Sequence, residues 1–119
     1  LVDAKSAEVV ERWAFDVETQ GTIEEGKTDA DTIAQEIQAL LRQITSCVSF
    51  LPLLKAPCNF DLLVYTEPET PLPPGTWEFS DPRLIRGSSE VKLRSFSTSF
   101  HSVGASVTYI EKRDKFYQR

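Results

Sequence analysis

Apolar and polar residues alternate from Val9 to Glu18: Val9, Trp13, Phe15 and Val17 fall on one side, Arg12, Asp16 and Glu18 on the other. This period of two predicts a half-buried strand, with Glu11 as the one misfit on the apolar side. Leu1-Val2 reads as the end of a preceding strand, and Asp3 to Glu8 as the hairpin loop that joins the two. Residues 19–30 are polar and include Gly21 and Gly26, which predicts a loop. The period then changes. From Ile33, apolar residues recur at 33, 37, 40, 41, 44, 47, 48 and 51, which on a helical wheel fill an arc of about 120°. Thr32 and Gln35 have the spacing of a capping box, and Asp29 and Asp31 stand where a helix start favours negative charge. Pro52 stops this helix and Pro57 prevents it restarting.

Phe60 to Thr66 is a short, nearly continuous apolar run, which predicts a strand buried on both faces. Five of the seven prolines then lie between Pro68 and Pro82. Such a stretch cannot join a central sheet and predicts an irregular, extended strap pinned by Trp77 and Phe79. Val91–Phe100 and Val103–Ile110 are β-prone, with the bend at Gly104 or at His101-Ser102. Glu111 to Arg119 is a charged tail expected to fray. The order is strand, helix, strand, strap, hairpin. It predicts an α+β fold with one long helix laid on an antiparallel sheet.

With 119 residues, 40% of them hydrophobic and 10% aromatic, the chain has room for one domain and one core. The net charge of −5 argues against a binder of nucleic acid over its whole surface. The charge is uneven: residues 1–36 carry three basic and ten acidic side chains, and residues 83–119 carry eight and three. The basic end either meets an acidic partner or is merely solvated. No apolar run is long enough for a membrane span. The start Leu1-Val2-Asp3 has neither the basic nor the apolar part of a signal peptide, and we expect it to lie inside a larger gene product. Cys47 and Cys58 do not make a disulfide framework; reduced thiols in a cytosolic or nuclear protein are expected.

Signals of catalysis are weak. A nucleophilic pair would need Cys58 or Cys47 with His101, the only histidine, yet Cys47 lies on the apolar arc, where a small buried thiol is ordinary. His101 more simply satisfies a hydrogen bond beside the hairpin. Two distant cysteines and one histidine do not supply a metal site, and there is no phosphate loop and no cofactor motif. Signals of interaction are stronger. With Ile33 at zero, Arg42 stands at about 180°, facing water, and Phe50 at about −100°, off the apolar arc. Ala39, Gln43 and Ser46 share its flank. A lone aromatic among small and polar residues near an arginine resembles an interface centre, while the plainer alternative is that Phe50 packs under the Pro52 turn. The strand around 91–100 carries few large apolar groups. It is either a static hairpin or a segment able to leave one sheet edge for another, freeing that edge for an added peptide strand.

Four blocks of residues together resemble the HORMA domain, in its spindle-checkpoint branch. They are Glu11-Arg12-Trp13-Ala14-Phe15-Asp16; Leu41-Arg42-Gln43-Ile44-Thr45 with Val48-Ser49-Phe50-Leu51-Pro52-Leu53-Leu54; Phe60-Asp61-Leu62-Leu63-Val64-Tyr65; and Leu93 to Thr98 through His101, Val107 and Tyr109. They occur in the family's order, with Trp77 in the intervening strap. The resemblance implies a HORMA-like antiparallel sheet with a helix packed on it, a C-terminal strap and a β-hairpin. It also implies an incomplete domain, whose missing N-terminal part is supplied by a second chain or by a larger assembly. Residues 1–66 would be core strands and long helix, 67–110 a mobile safety belt, and 111–119 a charged tail. The implied function is non-enzymatic: a checkpoint adaptor of nucleus, kinetochore and cytoplasm that clamps a partner peptide under the belt. The implied partners are a coiled-coil kinetochore scaffold, the activator of the anaphase-promoting complex, and a second copy of the protein in the other conformation. Neither nucleic acid, membrane, metal nor cofactor is implied. Arg42, Gln43 and Phe50 match the family's dimer interface; Leu62, Leu63, Val64 and Tyr65 match the strand beside the captured peptide, and Trp77 the belt tryptophan. A HORMA adaptor of translesion DNA repair or of the meiotic chromosome axis is the alternative.

Overall fold

A computed structural model describes residues 1–19, 30–98 and 101–111. The elements are β1 (Val2–Asp3), β2 (Glu11–Thr19), α1 (Ala30–Ser46), a 3₁₀ turn (Cys47–Ser49), β3 (Cys58–Asn59), β4 (Ser88–Lys92), β5 (Phe96–Ser97) and β6 (His101–Ile110). This is the α+β arrangement that the periodicities predict. β6 is the central strand of the larger sheet, antiparallel to β2 on one side and to β4 and β5 on the other. β1 pairs with β3 in a separate small ladder.

The loop before β2 forms as expected. Val2 bridges to Val9, and the Asp3 carboxylate accepts the backbone N–H groups of Lys5 and Ser6 at 2.8 and 2.9 Å. This local turn lets Ala7 take a positive φ of 58° before the chain enters β2. β2 runs in register with β6 from Glu11↔Tyr109 to Thr19↔His101. One face of the sheet therefore carries Glu11, Trp13, Phe15 and Val17 beside Tyr109, Val107, Ala105 and Val103, while Arg12, Asp16, Glu18, Ser106 and Thr108 lie on the other.

The buried side chains mark where the helix sits. Among the described residues the buried hydrophobic ones are Val107 (0% exposed) and Ala105 on the apolar face of the sheet, Leu40 from the helix and Cys47 from the 3₁₀ turn that ends it. Each large apolar group that is fully buried contributes about 1.5–3 kcal/mol, so this is a small core. Glu11, the misfit of the alternation, is buried among them at 7% exposure. Its carboxylate accepts the Trp13 indole N–H at 2.6 Å, which is how a polar residue keeps a place on this face.

Several expectations are corrected. Helical geometry already holds at Ala30 and Asp31, so Thr32 lies inside the first turn and the capping box with Gln35 does not form. Asp29 and most of the expected loop (residues 20–29) lie outside the described residues, as do Ser99, Phe100 and residues 112–119 of the charged tail. The helix tightens into 3₁₀ geometry at Cys47, whose carbonyl accepts both Phe50 and Leu51 N–H, and ends before Pro52. The covered stripe of the helix is Ile33, Leu40, Ile44 and Cys47 together with Glu36, Ala39 and Gln43. Ile37, Leu41 and Val48, on the far side of the predicted arc, are exposed. The helix is thus turned toward its polar flank, because the groups that reach it there are on the C-terminal hairpin.

The predicted strand Phe60–Thr66 does not form. Strand pairing stops at Asn59, and Phe60 and Leu62 are 78% and 73% exposed. The run has the composition of a central strand, but among the described residues no strand pairs with it to complete a ladder. The strap is irregular as expected, but Phe79 is fully exposed and pins nothing. The hairpin bend lies between Thr98 and His101, whose backbones bond at 2.7 Å, whereas Gly104 sits mid-strand opposite Asp16. His101 serves the bend through its backbone, its N–H donating to Thr98 Oγ1 at 2.9 Å.

Candidate peptide groove and the helix face

Leu62, Leu63, Val64, Tyr65 and Trp77 all line one open groove of about 1070 Å³. Its near wall is Phe60 to Pro68, and its far wall is the returning strap up to Arg83. The near wall Phe60–Thr66 is assigned no strand pairing, and Pro71, Pro73, Pro74 and Pro82 keep the far wall out of any ladder. The groove closes on itself by an ion pair: Arg83 Nε lies 3.4 Å from Asp61 Oδ2, each side chain about half-exposed. A second tie runs to the sheet, where the Arg12 guanidinium stands 5.9 Å from the Tyr65 ring centroid. Arg12 is on the sheet face opposite the helix, so groove and helix occupy different sides of β2.

The residues assigned to a helix interface are not equivalent. Arg42 is exposed, and Phe50 is 47% exposed at the end of the 3₁₀ turn. Gln43 instead reaches the hairpin: its Oε1 accepts the Arg94 backbone N–H at 2.6 Å. The Arg94 guanidinium donates to Glu36 Oε2 through Nη2 at 2.8 Å and through Nε at 3.2 Å. Glu36 and Arg94 escaped the reading of the sequence. A signal for them is there: the apolar alternation of Val91 and Leu93 resumes at Phe96, a phase slip that marks a β-bulge at Arg94-Ser95.

The Cys47 thiol is sealed under the sheet. Burial, with the Glu11 charge nearby as the lesser cause, pushes its pKa up, which disfavours the thiolate a nucleophile requires. Among the described residues no group of three or more His, Cys, Asp or Glu is placed to hold a metal ion. No described helix is long and apolar enough to cross a membrane.

The sequence profile of the HORMA domain matches residues 2–101. The chain belongs to the HORMA domain family. Its relatives include the mitotic spindle assembly checkpoint protein MAD2A of Dictyostelium discoideum, 48% identical over 113 residues, and that of Homo sapiens, 44% identical over 113 residues. In both cases the match covers 92% of this chain and 55% of the relative. This HORMA chain therefore spans about half the length of the relatives it matches. Among solved structures, a chain in a crystal structure of the mitotic checkpoint complex superposes with a TM-score of 0.76 at 40% identity, over 93% of this chain and 58% of that one. This extends the likeness from sequence to the folded arrangement.

Proposed function

We propose that this HORMA chain is the clamping part of a spindle assembly checkpoint adaptor. A partner's extended segment lies in the groove beside Leu62–Tyr65, held under a belt formed by residues 67–110, and the complex helps to inhibit the activator of the anaphase-promoting complex. The observation that carries this reading is the unpaired run Phe60–Thr66. It presents free backbone groups and exposed apolar side chains to a groove closed on its far side by the strap. An added strand satisfies such a backbone while its alternate side chains enter the apolar wall. The relatives' names favour the checkpoint branch over DNA repair or the meiotic axis. The role needs no chemistry beyond binding, so we read the chain as non-enzymatic. It would act in the nucleus, at kinetochores and in the cytoplasm.

Two further surfaces belong to the same reading. Arg42 on the helix and Phe50 at the end of the 3₁₀ turn, both exposed, would meet a second copy of the protein. Ile37 and Leu41 on the helix, Val48 in the 3₁₀ turn, and Phe15 and Val17 on the sheet are large apolar side chains left exposed, of the kind an interface covers. We infer that what covers them is the remainder of the HORMA fold, from the same polypeptide or from another.

The test is fluorescence anisotropy with labelled peptides from a coiled-coil kinetochore scaffold, from the anaphase-promoting complex activator, and from repair-polymerase and chromosome-axis partners. Saturable binding of either of the first two, weakened at least tenfold by Leu63→Arg, supports the clamp. Binding of a repair or axis peptide alone would move the chain to another HORMA pathway.

A further inference from the structure

We propose that Glu36, Gln43 and Arg94 form a latch that fixes the berth and the register of the C-terminal hairpin on the helix. The ladder between β4 and β6 keeps one register up to Leu93, whose N–H bonds Ala105 at 2.8 Å. Beyond the bulge the register has shifted by one residue, as Phe96 opposes Val103 and Ser97 opposes Ser102. Arg94 and Ser95 together therefore face the single residue Gly104. Because Leu93 bonds β6 through its own N–H, the alternation of an antiparallel ladder turns the next N–H, that of Arg94, away from β6. The helix supplies the acceptor for this outward N–H in Gln43, at the point where the bulge begins.

The side chain of the same residue completes the contact. Its guanidinium makes two bonds to one oxygen of Glu36. Glu36 and Gln43 are seven residues apart, two helical turns on one stripe. One residue of the hairpin thus spans two acceptors of the helix, one through its backbone and one through its side chain. Sliding the hairpin by one residue would bring Leu93 or Ser95 to this place. Neither carries a cation for Glu36, and the slip would also turn every side chain of the strand to the wrong face. The bulge is a registration device, and its helix half lies on the stripe that includes Gln43. The latch rests on the clamp reading only in supposing that the hairpin has another berth to leave for; the contact itself is independent of any partner.

Amide hydrogen exchange on the full chain tests it with no peptide present. Glu36→Arg and Arg94→Glu should each speed exchange across β4, β5 and β6 by about two- to five-fold, the range of a half-exposed ion pair, and leave the central α1 amides unchanged. The double swap, Glu36→Arg with Arg94→Glu, should restore the hairpin to within two-fold of the parent. Gln43→Ala should expose the Arg94 amide selectively. The milder Glu36→Gln, chosen in case charge reversal prevents folding, should give about a two-fold effect confined to the hairpin. Unchanged hairpin protection in the single variants, a double swap that restores nothing, or equal loss of protection in helix and hairpin would each overturn the latch. A chain that captures no checkpoint peptide but passes these tests would lose the clamp and keep the latch.

Discussion

Gln43 and Arg94 meet across 51 residues of sequence, side-chain oxygen to backbone N–H, at 2.6 Å. Gln43 is therefore engaged within its own chain in the one place where the family resemblance puts it against another copy. A substitution there acts on the hairpin as well as on any interface. Arg42, next to Gln43 in sequence but exposed, has no such engagement among the described residues.

Arg42→Glu alone should therefore separate self-association from peptide capture, while the pair Arg42→Glu with Gln43→Ala should not. We expect Arg42→Glu to shift the full-length protein to monomer on size-exclusion chromatography with peptide dissociation rates within two-fold of the parent. Adding Gln43→Ala should speed peptide release about three- to ten-fold, the loss of one hydrogen bond worth about 1 kcal/mol. Equal release rates in the two variants would return Gln43 to a purely intermolecular role.

The Asp61–Arg83 ion pair closes the ring of chain around the groove. Both side chains are about half-exposed, so the pair is screened by solvent and contributes at most about 1 kcal/mol. Arg83→Glu should speed release of a captured fluorescent peptide by about two- to five-fold at low ionic strength. The difference should vanish near 1 M salt, where the Debye length is about 3 Å. Asp61→Arg with Arg83→Glu should recover the parent rate in stopped-flow dissociation.

Much of this architecture is legible in the sequence, and the parts that are not share one cause. The strand from Val9, the helix from Ile33 and the C-terminal hairpin are local periodicities, and they form where local pattern places them. The apolar arc of the helix could not say which of its edges would be covered. Leu40 and Cys47 face the sheet while Leu41 and Val48 face out, because β6 and the bulge, more than 40 residues away in sequence, decide the rotation. Phe60–Thr66 has the composition of a central strand but forms none, since a strand is a property of a pair and the described residues supply no second member. That Leu62–Tyr65 and Trp77 share one groove agrees with what the resemblance implies of them; Glu36 and Arg94 have no such signal, because a salt bridge across 58 residues leaves no local pattern beyond the phase slip at Phe96.

Gly104 lies in β6 with no positive φ, and a Cβ built there meets nothing within 4 Å. The bend it was expected to make lies at Thr98–His101 instead. Glycine at this place serves no conformational need and leaves the unfolded chain freer than alanine would. Gly104→Ala should thus be neutral or stabilising by up to about 1 kcal/mol, read as a small rise in Tm. A loss of stability would mean that the two-residue bulge opposite Gly104 requires a position without a side chain there.

The two thiols should differ sharply in reactivity. Cys47 is 1% exposed and Cys58 is partly exposed, with its Sγ 3.5 Å from the Ala56 carbonyl. Burial, then the Glu11 charge, raises the Cys47 pKa, so the folded protein holds this thiol protonated where the unfolded chain would already release its proton. The contribution to stability is complete below the unfolded thiol value and is lost as pH rises through the folded one. Mild alkylation with iodoacetamide near neutral pH should therefore modify Cys58 alone, with Cys47 reacting only on unfolding, as peptide mass mapping would show. Cys47→Ala, tracked by urea unfolding from pH 7 to pH 10, should cost about 1–2 kcal/mol at neutral pH through lost packing. Because the parent alone loses the proton-linked contribution, the gap between the two curves should narrow as pH rises. A gap that stays constant over this range would mean that the Cys47 thiol titrates alike in the folded and unfolded chains.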